Sequence, residues 1–256
     1  MKFICNVLKA ILLIGLIGLL VWYFPIHISQ ENDPRLLSSL PNIPSTAPTF
    51  ESSSDSVEAG SNPLPSPACS PYGENSVIPC TMGLFVYYSQ SDPRWADALY
   101  GPSDPIRSHG CGPVAVAMVV SSLTSTQVTP IEVSTWAGDH GYCSPGEGSR
   151  HALIPDGLSH YGLTVTSVSD RSKESIIREI QSGNVVVALM NKGFFTNGGH
   201  FLLLTQVTED GQLRIADCAS WENTQKAWDP EFILSQVRKS AEAGGPLWSV
   251  GLPAEY

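Results

Sequence analysis

Basic residues are scarce in this sequence. Its 256 residues include 14 Lys and Arg against 24 Asp and Glu, which gives a formal charge of −10 at pH 7 with histidine neutral. Nucleic-acid backbones and anionic membrane surfaces are bound chiefly through Lys and Arg. The charge therefore argues against both kinds of partner, and we expect the protein to bind no nucleic acid.

Metal-ligand spacing is also missing. The chain has six cysteines and six histidines, but Cys69 and Cys80 lie far apart and no paired histidines accompany them. A zinc site needs Cys or His ligands at short, regular spacing. We therefore expect neither a metal nor an organic cofactor.

A long uncharged segment stands near the N-terminus. After Lys2 and Lys9, residues 10–28 carry no formal charge, and this length suits a helix that crosses a bilayer. The basic residues before the segment, and Glu31 and Asp33 after it, predict a cytoplasmic N-terminus and a domain outside the membrane. A cleaved signal peptide, which would leave a secreted protein, is the alternative.

Residues 29–80 lack the apolar side chains that a core needs. The segment has nine Pro, twelve Ser and no Lys, a composition that cannot bury enough apolar surface to fold. We expect a disordered linker here that holds the next domain away from the membrane. The predicted organisation is thus an anchor or signal peptide at 1–28, a linker at 29–80 and a folded domain at 81–256.

The part of the chain beyond the anchor has an odd number of cysteines. They are Cys69, Cys80, Cys111, Cys143 and Cys218. Because a disulfide uses two cysteines, at least one of the five must stay free or pair with another chain. A leftover thiol in an exported protein is a candidate for chemistry.

Cys111 lies between two glycines where a helix is predicted to begin. In SHGCGPVAVAMVV, residues 108–120, a proline suited to a first helical turn follows, and then a long apolar run. The partial positive charge of a helix start stabilises the thiolate, which is the nucleophilic form. Gly110 and Gly112 would let a substrate backbone come close. The alternative is a buried structural cysteine.

A hairpin is predicted to hold a base and a carboxylate. His200 begins an apolar strand in GGHFLLLTQV, and the turn signal of Asp210 and Gly211 then leads to the returning strand LRIADCAS. Pairing of these strands would bring Asp217 near His200, where a carboxylate could orient the imidazole and support its positive charge. The alternatives are a hydrogen-bonded core histidine and a solvated acid.

Other local signals predict an α+β arrangement. TPIE, residues 129–132, has the spacing of a capping box and predicts a helix to about residue 137. SKESIIREIQSG predicts a second helix, which Gly183 closes. NVVVALM reads as a fully buried strand beside the His200 hairpin.

Several separated motifs together resemble one family. YYSQSDPRWADALYG, SHGCGPVAVAMVVSSL, VTPIEVSTWAGDHG, NGGHFLLLTQV, and IADC followed by KAWDPEFIL are similar to papain-like cysteine peptidases related to bacteriocin-processing leader peptidases. The resemblance covers residues 83–235. It implies a papain-like α+β fold, in which a helical part carries the nucleophile and an antiparallel sheet carries the His and Asp.

The resemblance also implies roles for four residues. Cys111 would be the nucleophile, His200 the general base and acid, Asp217 the residue that orients the imidazole, and Gln90 the side-chain donor to the oxyanion. The family usually has Asp-Pro where this chain has Asp217 and Cys218. No transporter domain accompanies the match, so cleavage after a double-glycine leader does not carry over.

These observations predict a membrane-anchored, outward-facing cysteine peptidase that cleaves a peptide or protein substrate through an acyl-enzyme at Cys111. Two alternatives stay open. One is a cell-wall hydrolase or amidase with the same chemistry, and the other is an inactive module that binds peptides in the same groove. The presence of all four site residues argues against the inactive module.

Overall fold

The computed structural model of the chain describes residues 76–254. The expected membrane anchor and most of the expected linker lie outside this range. Between residues 76 and 254, no helix is both long enough and apolar enough to cross a membrane.

Short helices and strands alternate along the described residues. The helices are α1 (Ile106–His109), α2 (Cys111–Leu123), α3 (Pro130–Asp139), α4 (Leu153–His160), α5 (Lys173–Gln181), α6 (Trp221–Thr224) and α7 (Pro230–Gln236). The strands are β1 (Val77–Cys80), β2 (Gly83–Val86), β3 (Leu99–Tyr100), β4 (Asp104–Pro105), β5 (Cys143–Ser144), β6 (Gly148–Ser149), β7 (Thr164–Ser167), β8 (Val185–Met190), β9 (His200–Val207), β10 (Leu213–Ala216), β11 (Ala227–Trp228) and β12 (Leu247–Gly251).

Six strands form the main sheet, in the order β11-β10-β9-β8-β12-β7. Each neighbouring pair is antiparallel. The predicted strand at NVVVALM is β8, all six of its residues are buried, and it pairs with β9. The mixture of helices and antiparallel sheet agrees with the papain-like α+β fold expected from the sequence.

The central sheet is covered on both faces. Alternate residues of β8 belong to different apolar clusters, because successive side chains in a strand point to opposite faces. Val185, Val187 and Leu189 join the cluster that contains α2. Val186, Ala188 and Met190 join a second cluster. This cluster also contains Ile176 of α5 and Ile233 of α7. Each large apolar side chain buried in this way contributes about 1.5–3 kcal/mol relative to an exposed one.

Helix α2 is the buried helix of the first cluster. Eleven of its thirteen residues are buried, since the run VAVAMVV is apolar on all sides. The helix begins at Cys111, which confirms the position predicted for this cysteine at a helix start. The site therefore lies at one end of the most deeply packed helix of the domain.

Two other predicted helices begin and end at the expected signals. At α3, the Thr129 hydroxyl accepts a hydrogen bond from the Glu132 N–H, and the Glu132 carboxylate accepts one from the Thr129 N–H at 2.6 Å. Helix α5 begins after Ser172. Gly183 follows its end with φ of +90°, a conformation that glycine adopts without strain.

The folded domain begins earlier than residue 81. Strand β1, Val77–Cys80, pairs with β2, and Ile78 and Cys80 are buried in the core. The end of the expected linker is therefore corrected to a point before Val77, because the apolar residues of VIPC pack against the domain. No disulfide joins any two of the four cysteines between residues 76 and 254.

Candidate active site

Cys111 occupies the first position of α2 and is half-buried. The N–H groups of a first helical turn have no partner within the helix, so the positive end of the helix dipole lies at this thiol. The backbone of Phe201, in β9, also lowers the pKa of the Cys111 thiol. Both contacts favour a thiolate over a thiol.

The glycines beside Cys111 are required by packing within the protein. A Cβ at Gly110 would lie 2.6 Å from Ile106 Cγ2, and one at Gly112 would collide with the Ser149 side chain. The approach of a substrate backbone to these two glycines stays a prediction. They allow α1 and β6 to pack closely around the start of α2.

His200 is the first residue of β9, and its side chain is buried. Its Nε2 lies 2.7 Å from Asp217 Oδ1, and its ring is hydrogen-bonded to the Cys111 side chain. Because Asp217 occupies Nε2, Nδ1 is the nitrogen available to the thiol. Gly199, which precedes His200, has open space around it, with no atom closer than 3.9 Å to a Cβ built there.

The β9–β10 hairpin brings Asp217 to His200. The register of the two strands shifts between Arg214 and Ile215, so that Ala216 pairs with Leu203. This irregularity brings the end of β10 one residue closer to the start of β9 than a regular ladder would. The predicted hairpin is confirmed, and its bulge produces the contact between His200 and Asp217.

Asp217 is almost fully buried and every one of its polar atoms has a partner. Oδ1 also accepts from the Ala219 N–H at 3.0 Å, and Oδ2 accepts from Asn223 Nδ2 at 2.9 Å. The backbone N–H donates to Thr224 Oγ1, and the backbone carbonyl accepts from the Tyr87 hydroxyl at 3.0 Å. These bonds fix the carboxylate, and with it the plane of the imidazole.

The thiol and the imidazole shift each other's pKa in opposite directions. Burial by itself raises the pKa of Cys111, but the hydrogen bond and positive charge of His200 bring that pKa below its ordinary value. Burial lowers the pKa of His200, but the hydrogen bonds to Asp217 and Cys111 outweigh it and raise this pKa to about 10. Both shifts favour the thiolate–imidazolium pair over the neutral thiol and imidazole.

Gln90 is buried beside these residues. Its Nε2 donates to the Arg107 carbonyl at 2.6 Å, and its Oε1 accepts from Cys218 Sγ at 3.3 Å. A carbonyl can only accept, so the amide nitrogen must face Arg107, and one N–H of the amide is left for a further acceptor. The oxyanion role of Gln90 stays a prediction.

Cys218 stands where the family usually has proline. Burial raises its pKa well above the ordinary value, and the charges of Cys111 and Asp217 act in the same direction. It therefore stays a neutral thiol that can donate to Gln90. Its carbonyl also accepts from the Gln90 N–H at 2.9 Å. Two hydrogen bonds therefore connect Gln90 to Cys218, the residue that follows Asp217.

A cleft of about 890 Å³ opens at Cys111. Its lining comes mainly from residues 144–151, around β6, and from residues 189–201, between the end of β8 and the start of β9. Ser108, His109, Arg238 and Glu242 complete it. The cleft is therefore large enough for several residues of an extended peptide.

Sequence reasoning missed several residues around the site. Tyr87, Asn223 and Thr224 hold Asp217, but no local pattern marks them. His109 and His151 also line the cleft. His109 Nδ1 lies 2.9 Å from Ser108 Oγ, and His151 contacts Arg238, so neither takes the place of His200 beside Asp217.

The arrangement suits nucleophilic attack by sulfur, with proton transfer by His200. Between residues 76 and 254, no group of three or more His, Cys, Asp or Glu side chains is arranged to hold a metal ion. A family model described as Peptidase_C39 like family matches residues 84–242. No curated protein matches the chain.

Proposed function

Because the chain belongs to the Peptidase_C39 like family, we propose that it is a cysteine peptidase that hydrolyses peptide bonds at Cys111. One observation carries the assignment of the site. His200 lies 2.7 Å from Asp217 through Nε2, and its ring also interacts with the Cys111 thiol, so that each shifts the pKa of the other. This is the contact pattern that a nucleophile, its base and an orienting carboxylate require.

In the first half of the proposed reaction, the Cys111 thiolate attacks the carbonyl carbon of the scissile bond. The π electrons of the carbonyl move to its oxygen, which becomes an oxyanion. The N–H of Cys111 at the helix start and the remaining N–H of the Gln90 amide are the donors proposed for this oxygen. Donors aimed at charge that develops in the transition state lower the barrier most.

Collapse of this intermediate breaks the C–N bond. The His200 imidazolium gives its Nδ1 proton to the leaving amine, and a thioester remains on Cys111. In the second half, His200 takes a proton from water as the oxygen attacks the thioester carbon. The C–S bond then breaks, releasing a carboxylic acid and restoring the thiolate and imidazolium.

We also propose that the peptidase works outside the cell membrane, held by its N-terminal segment. Residues 10–28 lie outside the described residues, so this part of the proposal depends on their uncharged sequence and on the basic residues before them. The cysteine proposed as nucleophile forms no disulfide with any other cysteine between residues 76 and 254. A free thiolate is compatible with this location.

The test compares two substrate classes with full-length protein. A peptide library and purified peptidoglycan are incubated with the native protein and with the Cys111→Ala and Cys143→Ser variants. We expect cleaved peptides, and a thioester adduct on Cys111 in mass spectra of quenched reactions. Cys143 is a half-buried cysteine outside the catalytic contacts, so Cys143→Ser should keep the activity that Cys111→Ala loses.

Each alternative gives a different result. Cleavage of peptidoglycan alone would replace the proposal by a cell-wall hydrolase. Peptide binding without cleavage by the native protein would replace it by a binding module. Activity that survives in Cys111→Ala would assign the chemistry to another residue.

A further inference from the structure

Basic side chains are concentrated at the cleft of an acidic protein. Arg150, Lys192 and Arg238 line the cleft, and Lys239 lines an adjoining cavity of about 540 Å³ that shares Arg238 with it. These are four of the eleven Lys and Arg between residues 76 and 254, whereas two of the seventeen Asp and Glu line the same cavities. The local charge is therefore opposite in sign to that of the whole chain.

These basic groups lack acidic partners within the described residues. Elsewhere, Lys173, Arg178 and Lys226 each have a carboxylate within 4 Å. No ion pair to another described residue forms at Arg150 or Lys192. The cleft thus presents positive charges that the folded domain itself leaves without a counter-charge.

Arg238 faces a neutral partner. Its Nη1 lies 3.2 Å from His151 Nε2. Burial and the positive charge of Arg238 lower the pKa of His151, so the imidazole is neutral at pH 7 and does not add to the charge. Glu147 and Glu242 are the acidic residues of the same lining, and neither carboxylate forms an ion pair with a Lys or Arg among the described residues.

The backbones that carry these charges are held in place. The Arg238 N–H donates to the Leu189 carbonyl at 2.9 Å, and the Asn191 N–H donates to the Gln236 carbonyl at 2.8 Å. The Arg150 N–H donates to the Tyr142 carbonyl at 2.8 Å. Less conformational freedom is therefore lost when a ligand binds these charges than if they stood on free loops.

We propose that the cleft selects peptides with an acidic side chain near the scissile bond, which Arg150, Lys192 and Arg238 recognise. This inference rests on the proposed function. A guanidinium binds a carboxylate through two parallel hydrogen bonds. The net charge of the chain repels acidic peptides in general, but screening confines each charge to about 8–10 Å, so the basic lining controls binding inside the cleft.

The test uses pairs of peptides that are identical except at one position, which holds Glu in one peptide and Gln in the other. This position is moved in turn through four residues on each side of the bond that the full-length protein cleaves. At low salt, we expect kcat/KM for the best Glu peptide to exceed that of its Gln partner about tenfold. At 1 M salt, where the screening length falls to about 3 Å, the preference should largely disappear.

Neutral variants identify the residues responsible. Arg150→Gln, Lys192→Gln and Arg238→Gln should each reduce the ratio of kcat/KM for the Glu peptide to that for the Gln peptide, and circular dichroism tests the fold of each variant. Lys173→Gln removes the same charge outside the cleft and should keep the preference. Lys192→Glu should favour a peptide with Lys at the same position. Equal rates on Glu and Gln peptides, or a preference that survives all three cleft variants, would overturn the inference.

Binding separates this inference from the proposed function. Fluorescence anisotropy measures the affinity of the inert Cys111→Ala variant for the same Glu and Gln peptides. If the native protein cleaves no peptide, the proposed function fails, and the affinities of Cys111→Ala for library peptides matched except for one Glu or Gln still test the acidic preference. If peptides are cleaved but neither rate nor affinity favours Glu, the inference fails alone.

Discussion

Substitution of Asp217 by Asn removes one negative charge from the site and keeps the shape of the side chain. The Asn oxygen fits the place of Oδ1, which accepts from His200 at 2.7 Å and from the Ala219 N–H at 3.0 Å. The new NH2 group would face Asn223 Nδ2, the donor that bonds Oδ2 in the native protein. Rotation of the Asn223 amide turns its oxygen toward that group, so we expect the variant to fold.

The expected loss follows from the kind of hydrogen bond that remains. A bond to a charged group contributes about 1.5–3 kcal/mol and a neutral one about 0.5–1.5 kcal/mol. Asp217→Asn should therefore weaken support of the imidazolium by about 1–1.5 kcal/mol, which corresponds to roughly 5- to 15-fold in kcat/KM. Asp217→Ala loses the whole bond and should cost roughly 10- to 150-fold. His200→Ala removes the base itself and should abolish nearly all turnover.

Two measurements check the series. One is kcat/KM on a peptide that the native protein cleaves, and the other is the iodoacetamide rate of Cys111 against pH. Because the imidazolium is less stabilised in Asp217→Asn, the apparent pKa of the Cys111 thiol should rise by about one unit. Asp156→Asn is the matched control, because Asp156 is an exposed acid bonded to Tyr142 and has no contact with the site. Circular dichroism and thermal unfolding test the fold of each variant.

Two results would refute this reasoning. A folded Asp217→Asn protein with native kcat/KM and an unchanged Cys111 pKa would show that the carboxylate charge does not support the imidazolium. A folded His200→Ala protein that stays active would assign the base to another residue.

Three further predictions concern Cys111, Gln90 and the topology. Iodoacetamide should label Cys111 faster than Cys143 near neutral pH, because the pKa of Cys111 lies below 9.0 and burial raises that of Cys143. Equal, slow labelling of the two cysteines, measured by mass spectrometry, would contradict a nucleophile at Cys111. Gln90→Ala should lower kcat by roughly 10²–10³ with little change in KM and with rapid Cys111 alkylation; full kcat in steady-state assays would remove Gln90 from the oxyanion site. External protease should release the domain from intact cells by cutting between residues 29 and 75; a domain protected until lysis would contradict the outward orientation.

Local signals in the sequence account for most of the predicted elements. The capping box at Thr129, the glycine after α5 and the turn at Asp210 and Gly211 each act within a few residues, so the chain around them forms the same structure wherever it lies in the fold. Cys111 could be placed at a helix start for the same reason. The packing role of Gly112 could not be predicted in this way, because the nearest atoms that a Cβ there would meet belong to the Ser149 side chain, which is distant in sequence.

By itself, the sequence determined the local elements that carry the candidate catalytic side chains. It placed a cysteine at the start of a helix and a histidine at the start of a buried strand. Only the tertiary structure decided that the shifted register of β10 brings Asp217 to His200, and that Cys218 holds the amide of Gln90. It also gathered Arg150, Lys192 and Arg238 at one cleft. These distances depend on how separate segments pack against a common core, and no local pattern in the chain encodes them.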